Sequence, residues 1–409
     1  MEEYKIKYAE VLLNSCLKVE KNQPLFISFP IERIDFVKVV SDVAKRIGIN
    51  DIYYDVSDPY LKHDLLKELE VDELKKLPYW NKDIWNIYAK KNAAFLMLSS
   101  EYPGLMNDIL PTKISELTKY AFSTRKEFDN LRDKLMISWT IAAVPTYSWA
   151  KELFPNSDTP VDNLWDKIFD ICSIKDDNPV HTWQKKIDML NERAEKLNSY
   201  NFKSLKYVSD NGTNFSINLP EDHVWVSGME KLSSGKEVLV NFPTEEIFTS
   251  PDCNSAEGIV YSSKPLSYQG VLIDKFNIRF SKGEVIEYHA LIGEKTLGEM
   301  INICPNSNKL GEVALVPYDS PISNSNIVFL ETLYDENAAC HLALGDSFVE
   351  CNKNGMNFSK DVLYSKYSLN KCDSHVDFMI GNSSLNIIGI TKDGREIPIF
   401  KNGNFSELF

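Results

Sequence analysis

The first half of the chain alternates short apolar runs with segments of helical periodicity. Buried strands are predicted at Pro24–Pro30, Asp51–Val56, Ala93–Ser100 and Lys134–Pro145. Between the first two runs, apolar residues recur at helical spacing, and Gly48 is the predicted stop of that helix. This βαβ alternation is typical of parallel sheets with helices on both faces. The sequence therefore predicts an amino-terminal open α/β domain with a mostly parallel sheet.

The pattern of apolar and polar residues changes after a polar stretch, Ser173–Trp183, and an amphipathic helix that follows it to about residue 200. Beyond this point, short alternating strands are separated by turn signals at Asp210–Gly212, Lys282–Gly283 and Asp393–Gly394. Such turns are typical of antiparallel hairpins. We therefore predict two domains, residues 1–200 and 201–409, and an α/β plus α+β fold class. The second domain is expected to be mainly antiparallel β with a few helices.

Composition and charge narrow the classes of function. The chain has 409 residues, of which 43% are apolar, and its 45 basic and 59 acidic side chains give a net charge of -14. This negative field repels phosphate backbones and anionic lipid surfaces. No window reaches the roughly 20 apolar residues of a spanning helix, and the charged start does not resemble a secretory signal. We expect a cytoplasmic protein that has neither nucleic acid nor membrane as a partner.

The cysteines do not form a recognisable pattern. There are seven of them, an odd number, and the sequence contains no CxxC pair. Both features argue against a disulfide framework and against a structural zinc knuckle. The prediction is that all seven are reduced and behave as buried or half-buried small apolar residues.

Candidate chemistry is concentrated in the second half. In the predicted strand of HVDFMIG, His375 and Asp377 are two residues apart and so point to one face, while Val376 and Phe378 point to the other. An imidazole and a carboxylate presented together suit a metal site, although for this pair alone a simple His–Asp hydrogen bond is the favoured explanation. Glu312 begins the apolar run VALVP, where a carboxylate must be solvated or held by a cation.

Two further acidic segments are ambiguous by spacing alone. ENAACHLALG is predicted to begin a helix with Asp335 as its N-cap. Glu336 and His341 are five residues apart, which is not one helical face, so they can converge only if Glu336 lies in the loop ahead of the helix. Glu245 and Glu246 are adjacent and point to opposite sides of a strand, so only one of them can enter a site.

Five segments in order carry a resemblance to a known family: NFPTEEIFTSPD, KPLSYQG, LGEVALVP, DENAACHLALG and HVDFMIG. Together they resemble the cobalt- and zinc-dependent metalloaminopeptidases of the aminopeptidase T, aminopeptidase S and PepS family. The match runs through the whole carboxyl-terminal half. The amino-terminal half agrees with the family in its length and in its alternation of strands and helices more than in its residues.

The resemblance implies a site with two divalent metal ions, zinc or cobalt, with manganese or magnesium left open. The implied ligands are Glu246, Glu312, Glu336, His341, His375 and Asp377. Glu312 would bridge the two ions, which would share a water or hydroxide. Glu245 is the candidate for general-base work or for supporting a ligand, with a solvent-facing neighbour as the alternative. The implied function is hydrolysis of amino-terminal residues from short peptides, with broad specificity, by a homodimer whose active sites face an enclosed cavity.

One position departs from the family pattern. Seven residues after His341 the family usually has a tyrosine, and this chain has Phe348, which has no hydroxyl group. The expectation is either lower activity or replacement by another phenol, Tyr364 or Tyr367. Two alternatives therefore stand beside the aminopeptidase: a weak or inactive paralogue that binds peptides or metals, and a metal-free α/β protein whose polar clusters are solvated loops.

Overall fold

The structure is a computed structural model that describes residues 1–268 and 271–409. The last two residues of the KPLSYQG segment, Gln269 and Gly270, lie outside the described residues. The chain divides into two compact units. The first comprises Met1–Lys185 and Met229–Pro243, and the second comprises Lys186–Gly228 and Thr244–Phe409. The domain boundary near residue 200 stays a prediction, because this division of packing does not test which parts fold independently.

The elements are numbered in chain order. The α-helices are α1 (Glu2–Val11), α2 (Ile34–Ile47), α3 (Pro59–Glu68), α4 (Val71–Leu74), α5 (Asp83–Lys90), α6 (Pro111–Thr124), α7 (Lys126–Asp133), α8 (Tyr147–Leu153), α9 (Pro160–Ile171), α10 (Pro179–Tyr200), α11 (Glu294–Ile301), α12 (Pro321–Asn324), α13 (Thr332–Asp335) and α14 (Lys360–Tyr367). The strands are β1 (Leu25–Pro30), β2 (Ile52–Ser57), β3 (Ala94–Ser99), β4 (Trp139–Ala143), β5 (Ser204–Val208), β6 (Asn214–Asn218), β7 (Val226–Ser227), β8 (Met229–Lys231), β9 (Glu237–Leu239), β10 (Asn241–Phe242), β11 (Ile247–Thr249), β12 (Glu257–Tyr261), β13 (Leu266–Tyr268), β14 (Val271–Ser281), β15 (Glu284–Ile292), β16 (Leu310–Leu315), β17 (His341–Gly345), β18 (His375–Met379), β19 (Asn386–Ile390), β20 (Glu396–Lys401) and β21 (Asn404–Phe405).

The first unit contains a five-stranded sheet of order β10-β4-β3-β1-β2, in which every neighbouring pair is parallel. The predicted parallel sheet is thus confirmed. The helix α2 ends where the sequence predicted, since Gly48 adopts φ 99°, a left-handed conformation that favours glycine. The last strand of this sheet comes from the segment NFP, which precedes the acidic pair Glu245 and Glu246 along the chain.

The second unit contains two antiparallel sheets. The larger has nine strands and includes the hairpins β5–β6, β14–β15 and β19–β20, which confirm the three predicted turns. The smaller has the order β18-β17-β16-β11-β7. One face of the smaller sheet contributes Val313, Leu342, Leu344 and Phe378 to a large apolar core that it shares with the larger sheet. Its other face is therefore left for polar side chains.

Two predictions about local structure are wrong. ENAACHLALG does not begin a helix: Glu336–Ala338 form one 3-10 turn, and His341–Gly345 form the central strand β17. Asp335 is the last residue of α13 and occupies the position ahead of that 3-10 turn, but its side chain makes no capping hydrogen bond, and its carboxylate instead accepts the backbone N–H of Phe329 at 2.8 Å. The apolar residues of HLALG are buried on both faces of a sheet, and such strands lack the alternation that distinguishes them from helices. Among the described helices, none is long and apolar enough to cross a membrane.

Candidate metal centre

The register of the smaller sheet of the second unit brings four of the predicted ligands to one face. Ala343 on the central strand β17 pairs with Glu312 on β16 and with Asp377 on β18, so these three residues form one row across the sheet. His341 and His375 are each two residues from a member of this row along their own strands. Because side chains two apart on a strand share a face, all four polar side chains point to the same side.

Small residues leave room between these side chains. Ala343 stands between Glu312 and Asp377 and presents only a methyl group. Gly345 pairs with His375 at a φ of 112°, and a Cβ atom there would lie 1.9 Å from the carbonyl oxygen of Ser374. A larger side chain at position 343 would compete for the space above the sheet, and one at position 345 would clash with the backbone of the neighbouring strand.

The other two predicted ligands come from turns beside the sheet. Glu246 immediately precedes β11, and Glu336 begins the 3-10 turn that leads towards β17. Glu336 therefore lies ahead of the strand that carries His341, which is the arrangement that the sequence required for these two side chains to converge. Glu246, Glu312 and Asp377 each raise the pKa of the Glu336 carboxyl, an electrostatic effect that requires proximity, although burial raises it most.

Atoms of five of the six predicted ligands form two triads, and Glu336 belongs to neither. One atom each from Glu246, Glu312 and His341 lie within 4.8 Å of one another, and so do atoms from Glu312, His375 and Asp377. Glu312 belongs to both triads. Nε2 of His375 lies 3.2 Å from Oε2 of Glu312 and 3.3 Å from Oδ1 of Asp377. Nε2 of His341 lies 3.5 Å from Oε2 of Glu246.

Both imidazoles are oriented by backbone carbonyls. Nδ1 of His375 lies 2.9 Å from the carbonyl oxygen of Asp346, and Nδ1 of His341 lies 3.2 Å from that of Ala339. These contacts place the proton on Nδ1 and leave Nε2 pointing at the carboxylates. A histidine that binds a metal is commonly held in this way, since the outer hydrogen bond fixes its tautomer.

Burial and the neighbouring charges shift the pKa values of this cluster in both directions. Burial raises the pKa of Glu246 to about 8, and the nearby Glu312 and Asp377 carboxylates add to the rise against the effect of His341. For His375, burial lowers the pKa, but Asp377 and Glu312 outweigh it and raise the pKa well above its ordinary value. Burial likewise opposes ionisation of Asp377, yet His375 brings the pKa of Asp377 down to about 2.

The donor set fits a pair of divalent cations. Glu246, Glu312 and Asp377 find their ion-pair partners in the two histidines, and no lysine or arginine pairs with them in the part of the chain that the structure describes. Buried carboxylates this close together repel one another unless they bind protons or cations. Carboxylate oxygens and imidazole nitrogens are ligands suited to zinc, cobalt and manganese.

Glu245 is buried and does not face solvent as the alternative for this residue supposed. Its Oε1 accepts a hydrogen bond from Nζ of Lys186 at 2.8 Å, and its backbone N–H donates to Oδ1 of Asn337 at 2.8 Å. Asn337 is 0% exposed, and its Nδ2 donates to the carbonyl oxygen of Leu333 at 3.1 Å. Asn337 therefore ties the segment of Glu246 to the turn of Glu336. The sequence held no signal for this role, because an asparagine inside DENAACHLALG resembles any turn residue.

Phe348 lies beside the cluster. Its ring centroid is 4.9 Å from that of His375 in an edge-to-face arrangement, and 5.2 Å from that of Phe248. The two phenols named as replacements, Tyr364 and Tyr367, lie on the last turns of α14, where the ring of Tyr367 packs 6.0 Å from Phe358. Their ability to replace the missing hydroxyl stays a prediction.

A small cleft opens at the cluster, with Glu336 and Asp377 in its lining. Apolar side chains of Leu266, Leu330 and Met379 line another part of its wall. The cleft therefore joins two acidic ligand candidates to an apolar surface.

Comparisons with known proteins agree across the whole chain. The sequence model of the M29 family, described as thermophilic metalloprotease, matches residues 1–405. Aminopeptidase 2 of Geobacillus stearothermophilus is 35% identical over 405 residues, covering 98% of this chain and 97% of that relative. Aminopeptidase PepS of Streptococcus thermophilus is 34% identical over 402 residues, with the same coverage. The solved structure of wild-type AmpT from Thermus thermophilus is similar, with a TM-score of 0.90, 30% identity and 98% of each chain covered.

Proposed function

Because the chain belongs to the M29 family of thermophilic metalloproteases and is an aminopeptidase, we propose that its peptidase centre is the cluster of six residues described above. Glu246, Glu312, Glu336, His341, His375 and Asp377 would hold two divalent ions, zinc or cobalt, with manganese or magnesium as further candidates. The observation that carries this proposal is the pair of triads that share Glu312. A shared carboxylate is what a bridging ligand between two ions requires.

The ions would supply a Lewis acid for the peptide carbonyl and a water of lowered pKa. The protein would hold the ions and orient the side chains that bind them. The carbonyls of Asp346 and Ala339 keep Nε2 of each imidazole free for binding. The carboxylates at the cleft give it a negative field that attracts the protonated amino terminus of a peptide. The apolar wall of the cleft, which includes Leu266, Leu330 and Met379, offers a non-polar surface to the first side chain of a short peptide, and we include broad specificity in the proposal.

Glu245 is our candidate for moving a proton during hydrolysis. It is adjacent to Glu246 and buried, and Lys186 holds one of its oxygens. Substitution Glu245→Gln keeps the shape of the side chain but removes its basicity. A general-base role predicts that kcat falls by about 10²–10⁴-fold with the metal content unchanged. An unchanged kcat would mean that Glu245 only forms its ion pair with Lys186 and does not act as a base.

The central experiment measures hydrolysis of leucine and arginine aminoacyl-fluorophores by the full chain, together with metal content. We expect activity that chelation abolishes and that added zinc, cobalt or manganese restores. His375→Ala and Asp377→Asn should each lose bound metal and activity together. Full metal binding without turnover would instead support the paralogue that binds peptides or metals, for which Phe348 is the supporting observation.

A cytoplasmic homodimer is the proposed working form. The strand β15 pairs only with β14 among the described strands, and it exposes Ile286 and Leu291 at 61% and 66%. The start of β15 also pairs with another segment, since the N–H of Val285 donates to the carbonyl oxygen of Asn308 and Glu284 bridges to Lys309. The exposed apolar side chains farther along the strand are a surface that a second copy can cover. The mass in solution, measured by light scattering, should correspond to two chains.

A further inference from the structure

Two cysteines in the second unit lie in contact, apart from the proposed metal ligands. The Sγ atoms of Cys304 and Cys372 are 3.0 Å apart, and both side chains are partly exposed. Cys304 follows α11, and Cys372 lies in the segment ahead of β18, so the contact joins parts of the chain that are 68 residues apart in sequence. The other five cysteines of the described chain are buried.

The backbone around both thiols is fixed by side-chain amides. Nδ2 of Asn306 donates to the carbonyl oxygen of Lys371 at 3.0 Å, and Nδ2 of Asn370 donates to that of Asn306 at 3.0 Å. The backbone N–H of Cys372 donates to Oδ1 of Asp346 at 3.1 Å. The residue two positions after Cys304 is therefore bonded to the two residues that precede Cys372. A disulfide, with a sulfur–sulfur distance of about 2.05 Å, requires a movement of only about 1 Å.

We propose that Cys304 and Cys372 are a reversible redox site, which forms an intramolecular disulfide by exchange with a small disulfide such as oxidised glutathione. In the first step, the thiolate of one cysteine attacks the small disulfide, forms a mixed disulfide and releases one small thiolate. In the second step, the other cysteine attacks the protein sulfur and releases the second small thiolate. The two cysteine protons end on the two released thiols, so one small disulfide is reduced for each protein disulfide formed.

The contact between the two thiols determines whether the mixed disulfide or the intramolecular disulfide accumulates. Burial, with the neighbouring thiol, raises the pKa of Cys372 to about 11, so little of this thiol is ionised at neutral pH. Once the mixed disulfide forms, the second thiol is already in contact, and the intramolecular step has a high effective concentration. In a reducing compartment the pair rests as thiols, and it oxidises only when the thiol pool does. The disulfide would close a loop that contains β16 and β17, and so would stabilise the smaller sheet of the second unit.

The test uses the full chain after chelation, so that its result does not depend on the proposed metal centre. After incubation with oxidised glutathione, peptide mapping should find a Cys304–Cys372 crosslink, with a mass loss of about 2 Da and reversal by dithiothreitol. The midpoint of thermal unfolding should rise by several degrees on oxidation. Cys304→Ser and Cys372→Ser should each abolish both effects, while Cys253→Ser, a buried cysteine of the same unit, should keep them. Stable mixed disulfides, or free thiols that persist at both positions, would overturn the proposal.

Discussion

Asn337→Ala tests whether the proposed ligands are held by a single buried amide. The side chain is 0% exposed, and its Oδ1 accepts the backbone N–H of Glu245 at 2.8 Å. Alanine leaves that N–H buried without its acceptor, which costs about 1–3 kcal/mol of unfolding free energy. The loss of the carboxamide volume adds to this cost. We therefore expect the free energy of unfolding of the second unit to fall by about 2–3 kcal/mol.

The same substitution should weaken metal binding. Asn337 joins the segment of Glu246 to the turn of Glu336, and loss of a residue that orients ligands typically reduces metal affinity by about 10–100-fold. Stability is measured by urea unfolding of the chelated protein, and affinity by competition with a chromophoric chelator. Asn324→Ala is the matched control, because Asn324 is exposed and its side-chain amide donates to Oδ1 of the exposed Asp319 at 2.8 Å. If both variants lose less than about 0.5 kcal/mol and bind zinc as the parent does, the positioning role of Asn337 is refuted.

Three further predictions concern the centre and the assembly. Burial raises the pKa of Glu246 to about 8, so metal binding at pH 7 must release a proton from this carboxyl, and zinc affinity should fall as the pH is lowered below about 8. A zinc affinity that stays constant from about pH 6 to about pH 9 in a chelator competition would contradict this prediction. Phe348→Tyr places a hydroxyl beside His375 and should raise kcat, by up to about 10²-fold if it stabilises the oxyanion, and an unchanged kcat would mean that the hydroxyl is not used. Leu291→Asp should convert the dimer into monomers on light scattering, whereas an unchanged mass would place the interface elsewhere.

Much of the fold could be predicted from the sequence because its signals are local. Apolar runs that alternate with helical segments predicted the parallel sheet, and turn residues such as Asp393–Gly394 predicted the hairpins. Gly48 marked the end of α2 because the residue after a helix often has a left-handed backbone conformation, which glycine adopts readily. The segment HLALG was predicted wrongly for the same reason: an apolar run buried on both faces carries no periodicity that separates a strand from a helix.

The candidate site was predictable only through the ordered motifs and their resemblance to a family, since its members are up to 131 residues apart in the sequence, from Glu246 to Asp377. The pairing of His375 with Asp377 on one strand follows from the two-residue period. Their meeting with Glu312 and His341 depends on the register among β16, β17 and β18, in which Ala343 aligns the row. Register is set by packing of the opposite face, and no local sequence pattern encodes it.

The sequence alone determined the parallel strands of the first unit, the three hairpins, the acidic charge and the kinds of side chain available for chemistry. Tertiary structure decided which of those side chains meet: Glu246 beside His341, Asn337 between two turns, and Cys304 against Cys372. Helix and strand signals depend on neighbours a few residues apart, whereas these contacts join distant segments. Such contacts form only when the burial of apolar faces fixes the position of one strand against the next.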